Sequence, residues 1–175
     1  MRTRMTAVAA VAGALALLPA ASAFAGSGPH PAPERRQAAG AAAAPSAAGN
    51  PQSARARAAG VCSDAYEIGS RGVIHRKGEK IGSVKQFYSP ACDENYGYLW
   101  VWQSFHDTHS GYDVSIGVFS YDRGTVVGRR SWSGTNGQEF WSNGATTVSE
   151  CTSALGTVRA APDPIASNAW STERC

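Results

Sequence analysis

The chain has 175 residues, 43% of them hydrophobic, and a formal net charge of +3. This charge is unevenly distributed, because six of the 16 basic residues but only one acidic residue precede residue 60. From Gly60 onward, ten basic residues stand against twelve acidic ones, a net charge of −2. Because nucleic-acid binding depends on a positively charged surface, the composition argues against a nucleic-acid partner.

Residues 1–25 have the three parts of a secretory signal peptide. Arg2 and Arg4 form a charged start, residues 7–18 are small and apolar, and two overlapping small-x-small cleavage sites occupy residues 21–25. The apolar run is shorter than the ~20 residues that cross a bilayer. We therefore predict a secreted protein, extracellular or associated with the cell envelope, with no membrane span after signal cleavage.

Residues 26–59 consist largely of Ala, Pro, Gly and Ser, with no aromatic residue and no Val, Ile or Leu. Such a segment has too little apolar surface to offset the entropy that is lost on ordering it. We predict a disordered linker or pro-segment here. Its basic pairs, Arg35-Arg36 and Arg55-x-Arg57, are either protease-processing sites or solubilising charges.

All four cysteines follow this segment, at Cys62, Cys92, Cys151 and Cys175. An even number of cysteines in an exported chain predicts disulfides. Three pairings are possible, and we favour the pairing of neighbours, Cys62 with Cys92 and Cys151 with Cys175. The chain contains no Cys-x-x-Cys spacing, which argues against a zinc site.

Residues 60–175 hold fifteen of the 16 aromatic residues. Several short segments alternate between apolar and polar residues with period two, which is typical of half-buried strands. The clearest are residues 80–89, 97–105, 112–121 and 126–133, with shorter ones at 146–149 and 155–159. We predict an all-β domain over residues 60–175, a small antiparallel β-sandwich or barrel with two disulfides.

The connections contain turn sequences. Residues 106–111 (HDTHSG) join two strong strand candidates and predict a hairpin loop, and Asn143-Gly144 predicts a turn. Pro162 and Pro164 predict an irregular tail, from which Trp170 packs onto the sheet.

One stretch of the domain resembles a known family. It has a first Cys, a short apolar segment, a strand that runs from a Gly to Tyr-Ser, a second Cys and an aromatic strand. Here these are Cys62, residues 72–74 (GVI), residues 82–92 (GSVKQFYSPAC) and residues 99–102 (LWVW). The pattern resembles a family of small exported actinobacterial proteins of unknown function. The resemblance implies export, a disulfide and a β fold, and it implies no activity.

Catalytic motifs are lacking in the sequence. There is no Gly-x-Ser-x-Gly elbow, and the even cysteine count argues against a free nucleophilic thiol. His106 and His109, with Asp107 and Asp113 nearby, are weak candidates for a metal site or an acid–base pair. Loops also use such residues for turn formation alone. The sequence therefore favours a protein without catalytic activity, and it predicts no cofactor.

The aromatic residues are the remaining signal. Alternation places Tyr98, Trp100 and Trp102 on one face of a strand, and Trp132 and Trp141 lie in or beside turns. Trp102, Trp132 and Trp141 are our candidate ligand-binding aromatics, because exposed rings stack on sugars or anchor protein partners. The alternative is that these rings form the core.

Together these features predict a non-catalytic extracellular binding or envelope-associated module, with a polysaccharide or a secreted protein as partner. The first alternative is a proteinaceous inhibitor of a secreted hydrolase. The second alternative is a small secreted hydrolase. A sugar-binding module needs a row of exposed aromatics, an inhibitor needs a rigid exposed loop, and an enzyme needs titratable groups that converge in a pocket.

Overall fold

The structure is a computed structural model that describes residues 42–175. The predicted signal peptide, residues 1–25, and residues 26–41 of the predicted linker lie outside the described residues. Among the described residues, no helix combines the length and the apolar character needed to cross a membrane.

The described residues form eight strands and two short helices. In chain order the elements are α1 (Ala54–Ala58), β1 (Tyr66–Arg76), β2 (Glu79–Ser89), β3 (Glu94–Val101), α2 (Gln103–His106), β4 (Tyr112–Ser120), β5 (Thr125–Thr135), β6 (Glu139–Trp141), β7 (Thr152–Arg159) and β8 (Ser167–Trp170). The strands form two antiparallel sheets, with order β1-β2-β3-β6 in sheet 1 and β5-β4-β7-β8 in sheet 2. The predicted all-β fold with antiparallel sheets is confirmed.

The strands that alternate clearly in the sequence are present, and the strands that do not alternate were missed. β2, β4, β5 and β7 cover the predicted segments with ends shifted by a few residues. The short strand predicted at residues 146–149 is wrong, because residues 146 and 147 are irregular and residues 148 and 149 form a turn. β1 was not predicted, because most of its residues are exposed at a sheet edge. β6 and β8 were not predicted, because strands of three and four residues are too short to show alternation.

The connection between β3 and β4 also differs from the prediction. β3 ends at Val101, and α2 follows in place of the last residues of the predicted strand. Residues 106–111 are not a hairpin loop, because β3 pairs within sheet 1 and β4 pairs within sheet 2. Phe105 turns into the core beside Tyr112, with 5.6 Å between the ring centroids. Burial of this ring stabilises the crossover between the sheets.

The main core lies between the two sheets. Val84 and Leu99 of sheet 1 and Ile116 of sheet 2 are fully buried there. Gly156 lets the sheets approach, since a Cβ at this position would lie 2.6 Å from Val84 Cγ2 and 2.8 Å from Leu99 Cδ1. Each buried aliphatic side chain of this kind contributes roughly 1.5–3 kcal/mol.

A second buried cluster lies on the outer face of sheet 1, where Phe87, Tyr96, Tyr98 and Trp141 pack with Ala56 and Val61. The rings of Tyr98 and Trp141 have centroids 4.5 Å apart. Because Leu99 belongs to the main core, the alternation read from β3 is correct for Tyr98 and Leu99. Sheet 1 is therefore buried on both faces over this region.

The cover of this cluster is the segment of residues 42–59, which we call the strap. Tyr98 Oη donates to Ser46 O (2.6 Å), and Lys85 Nζ donates to Ala48 O (3.0 Å). Gly49 has a φ of +87°, and a Cβ there would lie 2.5 Å from Phe87 Cζ, so only glycine fits. Ser53 caps α1 by accepting from Ala56 N.

Over residues 42–59, the strap corrects the prediction of a disordered linker, which covered residues 26–59. The described part of that segment is packed against the domain, and Ser53 and Ala56 are fully buried. The prediction considered only the apolar surface of the segment itself, which is too small to form a core. Its small side chains and main-chain carbonyls need only fit onto aromatic surface that the domain supplies.

The edges of the two sheets meet. At one edge, Thr172 N donates to Ser70 O (2.9 Å), which joins β1 to the residues after β8. A Cβ at Gly72 would lie 2.1 Å from Trp170 O, so β1 and β8 are in direct main-chain contact. At the opposite edge, Asn143 N donates to Gly128 O (2.9 Å).

Both predicted disulfides are confirmed, as Cys62–Cys92 and Cys151–Cys175. They close loops with sequence separations of 30 and 24 residues, and loops of this size gain about 3–4 kcal/mol each in the chain-entropy estimate. Disulfides of this structural kind form in oxidising compartments.

Candidate functional site

The outer face of sheet 2 carries a partly buried phenylalanine, Phe119, between two exposed aromatic side chains, Tyr121 and Trp170. We call these three residues the aromatic strip. In β4, Ile116 and Val118 point into the core, so the alternation of the strand directs Phe119 to the outer face. Tyr121 follows the end of β4 with the same parity. Trp170 reaches the same face from β8, where it pairs with Leu155 of β7.

The rings of the strip contact one another. The Phe119 centroid lies 5.1 Å from that of Tyr121 and 5.0 Å from that of Trp170, with interplanar angles of 85° and 81°. Phe119 is partly buried, whereas Tyr121 is 43% exposed and Trp170 is 40% exposed. Phe119 therefore supports two outer rings that remain accessible to solvent. Tyr121 Oη is held 3.1 Å from Ser153 Oγ.

A polar row continues from the strip along the same face. Ser115 Oγ and Thr157 Oγ1 are 2.8 Å apart, and Asn168 pairs with Thr157 from β8. At the far end, Asp113 accepts from Gly134 N (3.0 Å) and forms an ion pair with Arg159. The hydrogen bond from Gly134 and the Arg159 guanidinium lower the pKa of Asp113. Hydroxyl, amide and charged groups thus adjoin the apolar rings.

A pocket of about 220 Å³ lies at the other side of the molecule, beside the strap, and we call it the Trp100 pocket. Its lining comes from the strap, β3, α2 and the turn before β6, through Pro45, Arg55, Trp100, His106, Asn136, Gly137, Gln138 and Glu139. The pocket was not predicted, because its lining comes from three segments that are far apart in the sequence, near residues 45–55, 100–106 and 136–139.

Glu139 is the most unusual residue of this pocket, because a carboxylate is buried there to 7% exposure. Its Oε1 accepts from Ser53 Oγ (2.6 Å) and from Trp141 Nε1 (2.9 Å). Its Oε2 is buried and has no hydrogen-bond partner among the described residues. A buried acceptor without a donor is costly.

The three tryptophans that we predicted as ligand-binding residues do not form one surface. Trp141 is 1% exposed and belongs to the cluster beneath the strap, so the prediction that it contacts ligand is wrong. Trp132 is half-buried against the core, beside Phe140, and Trp102 is half-buried at the start of α2. Trp102 also lies beyond the end of β3.

His106 and His109 make separate structural contacts. His106 Nε2 lies 2.9 Å from Asn136 O. The His109 ring stacks on Phe105 with centroids 4.1 Å apart, and its Nε2 lies 3.1 Å from an Arg76 guanidinium nitrogen. Over residues 42–175, the one group that brings three metal-ligating residue types together is Cys151, Glu173 and Cys175. Its two sulfur atoms are joined in a disulfide.

Part of the strip is encoded in the alternation of β4. Placing Val114, Ile116 and Val118 on the core face of β4 also places Phe119 and Tyr121 on the outer face. Trp170 could not be placed in this way, because β8 is too short to show alternation.

Comparison with known proteins finds no matching family model, no matching curated protein and no matching solved structure. The resemblance to small exported actinobacterial proteins stays a prediction.

Proposed function

We propose that this protein is a secreted, non-catalytic binding module for extracellular polysaccharide. The observation that carries the proposal is the aromatic strip on the open outer face of sheet 2. Two of its three rings are 40% exposed or more, and contiguous exposed apolar surface on a soluble domain is typical of a binding site.

The chemistry of the face matches that of a sugar chain. A pyranose ring has apolar C–H faces that pack against aromatic rings, and it has hydroxyl groups at its rim. The strip supplies the rings, and Ser115, Thr157 and Asn168 supply hydrogen-bonding groups on the same face. Successive ring spacings of 5.1 and 5.0 Å place Tyr121 and Trp170 at most about 10 Å apart, which suits a short stretch of chain.

The sequence supports the same function. The leader is typical of export, and the two disulfides agree with an oxidising environment. From residue 42 onward the chain has no net charge, because Arg55 and Arg57 of the strap offset the net charge of −2 from Gly60 onward. A surface without excess positive charge favours an uncharged polymer over a polyanion.

The test is retention of the full chain on insoluble cellulose, chitin and bacterial cell-wall material. We expect retention on at least one polymer, and Tyr121→Ala and Trp170→Ala each to weaken it about tenfold, which corresponds to the loss of one aromatic contact. Tyr66→Ala is the matched control, because Tyr66 is 53% exposed and lies in sheet 1. Equal retention of all variants would contradict the proposal.

One observation favours a second candidate, an inhibitor of a secreted hydrolase. The loop between β2 and β3 is exposed at Pro90 and Ala91 and is tied to Cys62 through Cys92. Asp64 braces it by accepting from Ser89 Oγ (2.7 Å) and Ala91 N (2.9 Å). A rigid loop loses little entropy on binding. Tight inhibition of a secreted protease or amylase, abolished by Ala91→Arg and unaffected by Tyr121→Ala, would favour this function over polysaccharide binding.

A further inference from the structure

We infer that a linear glycan lies across the strands of sheet 2, with about three sugar rings held between the aromatic strip and a row of polar side chains. The inference rests on the proposed function, which supplies the class of ligand. It adds the direction of the bound chain, its length and the side chains that bind one edge of it.

The polar side chains form a row that crosses the whole of sheet 2. Ser115 of β4 is the register partner of Ser131 in β5 on one side and of Thr157 in β7 on the other. Thr157 in turn pairs with Asn168 of β8. We call these four residues the transverse row. Because neighbouring strands lie about 4.8 Å apart, the row spans roughly 14 Å.

The transverse row lies on the open face of the sheet. Val158 and Ala169, which follow Thr157 and Asn168 in the chain, are buried in the main core. Successive side chains of a strand point to opposite faces, so the row points outward. All four of its side chains are exposed or partly exposed. A ligand on this face therefore reaches them without any rearrangement of the protein.

The aromatic strip crosses the same strands beside the row. It extends from β4 to β8, because the rings of Phe119 and Trp170 are in contact, with centroids 5.0 Å apart. On β8, Trp170 stands two residues from Asn168, which is a distance of about 7 Å along a strand. Leu155 of β7 pairs with Trp170 and is partly buried. An apolar floor thus separates an aromatic line from a polar one.

The row has the hydrogen-bonding character that sugar hydroxyls need. Ser115 Oγ and Thr157 Oγ1 are 2.8 Å apart, so one hydroxyl donates to the other and one hydroxyl proton stays free. The pair therefore offers a donor as well as acceptors, and the carboxamide of Asn168 does the same. β4 and β7 are the central strands of sheet 2. Their side chains are held in place, and little entropy is lost on binding.

The spacing of the row determines the direction and the length of the ligand. The rings of an extended glycan follow one another at nearly the same spacing as the strands of a sheet. A chain that crosses the strands therefore meets a new polar side chain with each sugar, and about three rings cover the row. A chain that followed β4 alone would meet only Ser115, and a single sugar would leave Ser131 or Asn168 without a contact.

The first experiment measures the affinity of the full chain for cello- and chito-oligosaccharides, from the monosaccharide to the hexasaccharide, by isothermal titration calorimetry. In at least one series we expect the affinity to rise with each sugar up to about three or four and then to level, because further rings pass beyond the row. Equal affinity for a monosaccharide and its hexasaccharide would overturn the inference. Retention on a polymer without binding of any oligosaccharide would overturn it as well.

The second experiment locates the bound hexasaccharide on the unmodified chain through changes of amide chemical shifts in NMR spectra. We expect changes at Ser131 and Asn168, in the outer strands of sheet 2, as well as in the two central strands. Changes that are confined to β4, or that are absent from both outer strands, would contradict a chain that crosses the sheet.

The third experiment removes single hydroxyl groups from the row. Thr157→Val keeps the branched shape of the side chain, and Ser131→Ala is made at an exposed position. Each should weaken binding of the hexasaccharide about fivefold, which corresponds to the loss of one hydrogen bond. Ser133→Ala is the matched control, because Ser133 is an exposed serine of β5 two residues beyond the row. Equal binding by the Ser131→Ala and Ser133→Ala variants would argue against the row.

Failure of this inference is distinguishable from failure of the proposed function. Polymer retention that is weakened by Trp170→Ala but unaffected by Ser131→Ala and Thr157→Val refutes the transverse row alone. No retention on any polymer refutes the proposed function and, with it, the inference.

Discussion

The two sheets present aromatic residues on their outer faces, but only one of these faces is open. On sheet 1, Phe87, Tyr98 and Trp141 are buried beneath the strap. On sheet 2, Tyr121 and Trp170 remain about two-fifths exposed. Aromatic side chains on an outer face of a sandwich therefore belong to the core or to a binding surface depending on whether another segment covers them.

The largest effect should follow from removing the cover. A chain that begins at Gly60 loses the strap and exposes the rings of Phe87, Tyr98 and Trp141, whose burial contributes on the order of 5 kcal/mol in total. We expect a much lower midpoint of urea unfolding than for a chain that begins at residue 42. Equal midpoints for the two chains would mean that the domain begins near Gly60, as the sequence predicts.

A direct comparison of one tryptophan from each face should give the next largest effect. Trp141→Ala empties a buried site and should cost about 3–5 kcal/mol of unfolding free energy. Trp170→Ala removes a 40% exposed ring and should cost less than half of that. Similar losses for the two variants would contradict the contrast between a covered and an open face.

A smaller effect is expected for Ser53, which joins the strap to sheet 1. Ser53→Ala removes the cap of α1 and the hydrogen bond to the buried Glu139 carboxylate, a loss of about 1–3 kcal/mol. Ser63→Ala is the control, because Ser63 is exposed. Chemical unfolding of both variants measures the difference, and no difference would mean that Ser53 does not anchor the strap.

The smallest effect concerns pH and the open face. The hydrogen bond from Gly134 N and the Arg159 guanidinium lower the pKa of Asp113 in the folded chain. At low pH the unfolded chain therefore binds more protons at Asp113 than the folded chain does. The contribution of Asp113 to stability is complete above its unfolded pKa of about 3.9. The contribution is lost as pH falls through the folded pKa. Asp113→Asn should flatten the decrease of stability below about pH 4, whereas Asp122→Asn, at an exposed turn, should not.

The parts of the fold that the sequence predicted are those whose periodicity reflects burial on one side. β4 is the clearest case, because Val114, Ile116 and Val118 are buried on its core face. β2 was recognised from its β-branched and aromatic residues, although it is buried on both faces. β1 could not be recognised in this way, because most of its residues are exposed and only Ile74 is buried. The disulfide pairing followed from the proximity of the cysteines in the chain.

The candidate sites were less accessible to sequence reasoning. The turn sequence Asn143-Gly144 beside Trp141 predicts a surface position, but the strap buries this ring. Glu139 carries no local signal, since its importance arises from Ser53, which precedes it by 86 residues and meets it only in the folded chain. Contacts between distant segments create both the cover of sheet 1 and the pocket beside it.

The contact between Gly72 and Trp170 has a consequence for genetics. Because any side chain at Gly72 would collide with the carbonyl of Trp170, a substitution there must displace β8 and, with it, one ring of the aromatic strip. A screen of randomly mutated chains for loss of polymer retention should therefore recover Gly72 alongside the aromatic residues. Such a mutant would map to the sheet opposite the strip, at a residue that touches no ligand.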